Sequence, residues 1–150
     1  MVDILVIGAG LAGLSASRKL ADKGYQVLVV DKGKSVGGRL ASRSLESASF
    51  DYGAQFMTAK EPRFLDQVNN WVSDGTAKLW FRGYPGRSEN YKRWRGIPNM
   101  RELARSLAGT LNIKTARQVV KITLQQTLWR VDSKDGKVIY ANNILLTPPV

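Results

Sequence analysis

The stretch Val2–Asp31, VDILVIGAGLAGLSASRKLADKGYQVLVVD, decides the fold. An apolar run, Ile4-Leu5-Val6-Ile7, leads into glycine-rich turn chemistry at Gly8, Gly10 and Gly13. Leu11, Leu14 and Leu20 then recur at helical spacing, Gly24 punctuates, and a second apolar run follows, Val27-Leu28-Val29-Val30. The pattern predicts strand, turn, helix, cap and strand. Neither run alternates in polarity, as expected of strands in a parallel sheet covered on both faces by helices. The predicted class is α/β, a Rossmann-like domain around a parallel sheet, with a right-handed crossover.

The glycine spacing adds chemistry to that fold. Gly8-x-Gly10-x-x-Gly13 follows a predicted strand and opens a predicted helix, and Asp31 ends the next strand. Any one of these glycines would be only a turn residue, but the complete pattern is the fingerprint of a dinucleotide site. Gly8 permits the tight turn, Gly10 lets the backbone approach a pyrophosphate, and Gly13 lets helix and strand pack closely. The helix N-terminus at Leu11 and Ala12 presents N–H groups and a positive dipole end to phosphates. The Asp31 carboxylate suits the ribose hydroxyls and would repel a 2′-phosphate, a discrimination that neighbouring Lys32 softens. After the second strand, Gly37-Gly38-Arg39 offers a glycine pair at which main chain can pass close to a ligand, and an arginine for phosphate or a planar ring.

Composition bounds the chemistry. The 150 residues are 43% hydrophobic, enough to bury a core without disulfides or metals. There is no Cys and no His, so no thiolate nucleophile, Cys-ligated metal or imidazole base is on hand, and no metal site is expected. Redox chemistry would have to come from a bound cofactor. A net charge of +11 invites a nucleic-acid reading, but Lys and Arg are dispersed without a run of five, which argues for a basic surface or a cleft for phosphorylated ligands. No basic segment precedes the first apolar run and glycines interrupt it, so a cleaved leader is not expected. No stretch approaches 18 uninterrupted apolar residues, and the expectation is a cytoplasmic protein without a membrane span.

Beyond the opening unit, Glu61 to Val72 reads as an amphipathic helix beginning at Pro62, with Phe64, Leu65, Val68 and Trp71 on one side. Lys78 to Trp94 reads as short strands and turns in which Arg82, Arg87, Lys92, Arg93 and Arg95 interleave with Trp80, Phe81, Tyr84, Tyr91 and Trp94. That mixture suits either a grip on phosphates and rings or an exposed basic face over a partial core. A helix over 99–108 has Asn99 as N-cap and Gly109 as stop. Strands follow at 112–115, 118–125, 128–132 and 137–140, with Asp135-Gly136 as a tight turn. A last apolar strand over 143–146 runs into Thr147-Pro148-Pro149-Val150, which reads as a chain cut in mid-fold from a protein about twice as long.

Several segments together resemble the flavin amine oxidases, and their renalase branch in particular. Asp31 to Arg43, DKGKSVGGRLASR, is similar to that family's acidic residue followed by Gly-Gly-Arg, and Asp51-Tyr52-Gly53-Ala54-Gln55-Phe56 to its next landmark. The likeness continues at Gly96-Ile97-Pro98-Asn99-Met100, Gln118-Val119-Val120-Lys121-Ile122 and Leu145-Leu146-Thr147-Pro148-Pro149. The resemblance implies FAD as cofactor, with Gly38 and Arg39 beside the pyrophosphate and flavin, Gln55 and Phe56 near the flavin, Val119 holding adenine through backbone groups, and Thr147 at a strand end near the cofactor. It implies an FAD-binding βαβ unit and flavin loop over 1–56, the start of an inserted substrate domain over 57–98, and a return to the FAD-binding domain, with a β-meander, over 99–150. It departs from the family in having Asp where Glu is common at position 31, and in lacking the C-terminal half that completes the site.

The implied activity is hydride transfer to FAD, reoxidation by O₂, and no side-chain nucleophile. Renalase-like proteins take isomers of reduced nicotinamide nucleotides, a small-molecule substrate that fits the basic charge; an amine or apolar substrate, or a noncatalytic dinucleotide-binding module, are the alternatives. No residue is assigned a catalytic role, and the sequence is silent on oligomeric state.

Overall fold

The computed structural model describes residues 1–46, 48–83, 86 and 91–148. Tyr84, Arg87, Pro149 and Val150, singled out above, lie outside the described residues. The chain divides into two compact units, one formed by Met1–Gly38 with Leu107–Val150, the other by Arg39–Ser106.

The first unit is built on a six-stranded sheet. Its strands are β1 (Val2–Ile7), β2 (Val27–Val30), β7 (Asn112–Lys114), β8 (Val119–Gln125), β9 (Leu128–Ser133) and β10 (Val138–Leu146), in the order β7-β2-β1-β10-β9-β8. β7, β2, β1 and β10 are mutually parallel, whereas β8, β9 and β10 form an antiparallel meander. Apolar side chains at alternate positions of several strands meet in one core, in which Leu5, Leu28, Val30, Val131 and Ala141 are buried. Helix α1 (Leu11–Ala21) turns Gly13, Leu14 and Ser17 inward, the spacing that brings one helical face onto a sheet. Gly24, at φ +87°, ends the helix in the conformation that suits glycine best, and the Tyr25 N–H reaches back to the Leu20 carbonyl at 3.2 Å.

The two strands predicted over 137–140 and 143–146 are a single strand. Val138 to Ala141 pair antiparallel with β9, and Ala141 to Leu146 pair parallel with β1, so the strand changes partner at the buried Ala141. The exposed polar pair Asn142-Asn143 broke the apolar pattern in the sequence; in the structure the Asn143 amide donates to the Asp3 carbonyl.

The second unit holds a hairpin of β3 (Ser42–Leu45) and β4 (Ala48–Asp51), helix α2 (Pro62–Ser73), a hairpin of β5 (Ala77–Arg82) and β6 (Lys92–Gly96), and the start of helix α3 (Arg101–Ala108). Val68, Trp71, Ala77, Trp94, Met100, Leu103 and Ala104 are buried in it. Both predicted helix starts hold: the Glu61 carboxylate accepts the Phe64 N–H at 2.9 Å, and the Asn99 side-chain oxygen accepts the Arg101 N–H at 3.2 Å. The β3–β4 hairpin was not expected, because its strands are four residues each, mostly polar and exposed, and carry no clean alternation. The unit boundaries fall at Gly38/Arg39 and Ser106/Leu107, whereas the sequence reading placed the inserted segment over 57–98.

Candidate functional site

The glycine turn gives each of its three glycines a different physical task. Gly8 stands at φ +119°, and a Cβ there would lie 2.4 Å from the Thr147 hydroxyl. Gly13, inside α1, would place a Cβ 2.0 Å from the Gly8 carbonyl oxygen, so only glycine allows the helix to sit this close to the end of β1. Around Gly10 a Cβ would meet nothing within 4 Å: that side of the backbone is open. Gly10 is also the N-cap of α1, without a side-chain hydrogen bond to the helix, and no acidic residue sits in the first turn. The N–H groups of Leu11, Ala12 and Gly13 therefore face no competing side-chain acceptor, which leaves the positive end of the helix available to an anion.

Asp31, at the end of β2, holds this turn in shape. One carboxylate oxygen accepts the Ala9 N–H at 2.6 Å, and the other accepts the Gly33 N–H at 2.7 Å. The sequence pointed to Asp31 as a ribose acceptor; the structure adds that it braces the turn, while each oxygen keeps lone-pair capacity for a further donor. The loop after β2 returns to the same place. The Gly37 N–H donates to the Ala9 carbonyl at 2.9 Å, and a Cβ on Gly38 would approach the Gly10 Cα to 3.3 Å. Gly8, Gly10, Leu11, Ala12, Gly13, Asp31 and Gly38 thus come together, and Lys32 is exposed beside Asp31.

Thr147 follows β10 and is tied to the same turn. Its hydroxyl donates to the Ile7 carbonyl at 3.1 Å, and its N–H to the same oxygen at 3.0 Å. Its side chain supports the glycine turn from the protein side, a role that residue type and position in the sequence do not reveal. Val119 opens β8, opposite Ser133, and its side chain packs against the sheet core.

Arg39, Gln55 and Phe56 belong to the second unit. Arg39 is exposed in a 3-10 turn, Gly38–Leu40, and its carbonyl accepts the Ala54 N–H at 2.9 Å. Gln55 is exposed, and Phe56 is half-buried with its ring 5.9 Å from that of Phe81, edge to face. Among the described residues of the basic and aromatic segment, Arg93 and Arg95 find their partners within the unit. The Arg93 guanidinium lies 5.6 Å from the Phe56 ring centre and 5.5 Å from that of Phe81, and its Nη1 donates to the Tyr91 carbonyl. Arg95 stacks 5.9 Å from Trp80 and donates to the Gly96 and Pro98 carbonyls. Cation–π contacts of this kind stabilise the second unit and occupy one face of each ring. Among the described residues no cluster of three or more acidic side chains could hold a metal ion, and no helix is long and apolar enough to cross a membrane.

Residues 6–71 match the family model of an NAD(P)-binding Rossmann-like domain. The chain is 36% identical over 74 residues to a 1-hydroxycarotenoid 3,4-desaturase of Flavobacterium sp., covering 49% of this chain and 15% of that protein. It is 41% identical over 56 residues to a Mycobacterium tuberculosis protein bearing the name of a flavin-containing monoamine oxidase, covering 37% of this chain and 12% of that one. A solved putrescine oxidase, a double mutant from a redesign of cofactor binding, superposes with a TM-score of 0.78 at 12% identity over 99% of this chain and 58% of its own. The chain therefore spans a small part of the length of these relatives and somewhat over half of that structure. The glycine motif and its turn geometry agree with the match of residues 6–71 to a Rossmann-like family model, and the chain has an α/β fold shared with a solved putrescine oxidase.

Proposed function

We propose that this chain is the FAD-binding part of an FAD-dependent oxidoreductase. The observation that carries the reading is the open side of Gly10 at an uncapped helix N-terminus, with Asp31 locked beside it: a space that a side chain would fill and a pyrophosphate fits. FAD, rather than a nicotinamide dinucleotide, is supported by the Gly38-Arg39 doublet after β2, by the Asp51–Phe56 landmark, and by the flavin named in one relative.

In this reading the N–H groups at Gly10, Leu11, Ala12 and Gly13 hold the pyrophosphate, while Gly8 and Thr147 keep the turn in shape. Asp31 takes a ribose hydroxyl with Lys32 at its side, and Val119 offers backbone groups to adenine. Gly38 and Arg39 meet the phosphates, and Gln55 and Phe56 serve the flavin end. When bound, FAD supplies hydride acceptance, chemistry that a chain with no Cys and no His lacks in its own side chains.

For the substrate, the net charge of +11 favours an anionic donor, and the likeness to the renalase branch points to an isomer of a reduced nicotinamide nucleotide with O₂ as acceptor. A second reading, an amine or apolar donor, draws on the monoamine oxidase and carotenoid desaturase among the relatives. The proposed setting is the cytoplasm.

The test is the cofactor itself. Protein purified without added cofactor, then denatured, is expected to release FAD identifiable by mass and by oxidised-flavin absorbance. A preparation that retains none and takes up none at saturating FAD would overturn the proposal. Anaerobic bleaching of the bound flavin by dihydronicotinamide isomers, set against primary amines, separates the two substrate readings.

A further inference from the structure

We propose that a groove within the Arg39–Ser106 unit binds a small organic anion with an aromatic or aliphatic body. The inference rests on that unit alone and is independent of the dinucleotide reading.

In the β3–β4 hairpin Arg43 stands opposite Phe50. The two-residue period of a strand puts Leu45 on the same face as Arg43, and Tyr52 on the same face as Phe50. Leu45, Phe50 and Tyr52 are 60%, 57% and 69% exposed, an unusual concentration of apolar surface on a two-stranded hairpin. Arg101, from the first turn of α3, lines the same groove, whose volume is about 820 Å³. That volume lies within the range of small-molecule sites.

The charge of the groove is one-sided. Arg43 and Arg101 line it and no acidic side chain does. The neighbouring Asp51 carboxylate is engaged by the Ser42 hydroxyl and by the Met100 N–H at 3.0 Å. Arg101 is held from behind: its Nη2 donates to the Ser42 carbonyl, and its Nε is buried with no hydrogen-bond partner. A guanidinium removed from water with a donor unmet is costly, and a carboxylate or phosphate oxygen on its accessible edge offsets part of that cost. Arg43 forms no ion pair among the described residues, so it is available as the second cation. Two arginines select the anion, and Phe50, Tyr52 and Leu45 receive its body. One hairpin and one arginine make a far smaller surface than the roughly 800 Å² per partner of a stable protein interface, which favours a small ligand over a macromolecule.

The experiment titrates phenyl phosphate into the ¹⁵N-labelled 150-residue chain and follows amide shifts, with benzyl alcohol as the uncharged counterpart and an oligoglutamate peptide as the macromolecular competitor. The expected result is saturable shifts centred on Ser42, Ser44, Leu45, Tyr52 and Arg101, absent with benzyl alcohol. Arg43→Glu is expected to weaken binding by about tenfold or more while leaving the rest of the spectrum in place, because Arg43 is exposed and braces nothing, unlike Arg101. Shifts confined to Gly8–Gly13, shifts scattered over every basic patch, an Arg43→Glu variant that binds as tightly as the parent, or a stronger response to the peptide would each overturn the assignment.

Discussion

Gly10 and Gly13 lie three residues apart in one motif, yet the structure assigns them opposite failure modes. In Gly13→Ala the new methyl carbon would sit 2.0 Å from the Gly8 carbonyl oxygen and 2.9 Å from the Thr147 hydroxyl. Ordinary carbon–oxygen contact is roughly 3.2–3.5 Å, so α1 and the end of β1 must separate by more than about 1 Å. Neither side is free to yield: the Gly8 N–H donates to the Val30 carbonyl at 2.8 Å, and Thr147 is tied to Ile7. Overpacking of a tight core costs about 1–3 kcal/mol; a clash with backbone at 2.0 Å belongs at the upper end, and alanine returns about 1 kcal/mol in helix propensity, so we expect a net loss of about 2 kcal/mol. For a chain of this size that lowers the midpoint of thermal unfolding by about 4–8 °C.

Gly10→Val behaves differently. Gly10 has φ −79° and ψ −179°, a backbone open to any residue, and no protein atom stands where its Cβ would go. Replacing glycine at an N-cap costs about 1 kcal/mol at most, but the isopropyl group fills the space assigned to the pyrophosphate. Circular dichroism melts without cofactor, paired with FAD titrations of both variants, separate folding from binding. A Gly13→Ala protein that melts with the parent, or a Gly10→Val protein that keeps parental FAD affinity, would refute the division of labour.

Three further outcomes follow from the same geometry. Asp31→Ala should weaken FAD binding by about 1–3 kcal/mol and also lower stability, because the Ala9 and Gly33 N–H groups lose their acceptor; binding isotherms and urea melts of one variant measure both, and an effect on neither would place the ribose contact elsewhere. Trp71→Ala should cost about 3–5 kcal/mol, since the indole is 1% exposed, meets Phe64 edge to face and donates to the Ser106 hydroxyl at 3.2 Å; a loss below about 1 kcal/mol in urea would deny it a core role. The Arg63 side chain and the Phe64 N–H hold the Glu61 carboxyl below its usual value of 4.5. A depressed carboxyl contributes its stabilisation above the unfolded-state value and loses it as pH falls through the folded-state value, so the start of α2 should fray only in acid. An NMR titration of Glu61 with a midpoint at or above 4.5 would contradict this capping.

The opening unit was legible because everything that specifies it is local. Apolar runs of strand length, three glycines at fixed offsets and one acidic residue after the second run together leave few other foldings, and β1, α1 and β2 lie where the pattern placed them. The starts of α2 and α3 were legible for the same reason, since Glu61-Pro62 and Asn99 act within a single turn. The β3–β4 hairpin was not, because strand pairing between short polar segments leaves no periodic trace in either one. The placement of Arg93 and Arg95 against Phe56, Phe81 and Trp80 was equally hidden, since sequence counts arginines near aromatics without saying whether they stack on each other or wait for a ligand.

By itself the sequence determined the glycine turn between β1 and α1 and the α/β class, because spacing along the chain dictates which groups a turn presents. Only tertiary structure decided that β10 is one strand serving two neighbours, that Thr147 backs the turn from the far end of the chain, and that Asp31 spends a hydrogen bond from each oxygen on bracing it. Those outcomes depend on which backbone donors and acceptors are left unmet once the sheet assembles, a property of residues far apart in sequence that no local window contains.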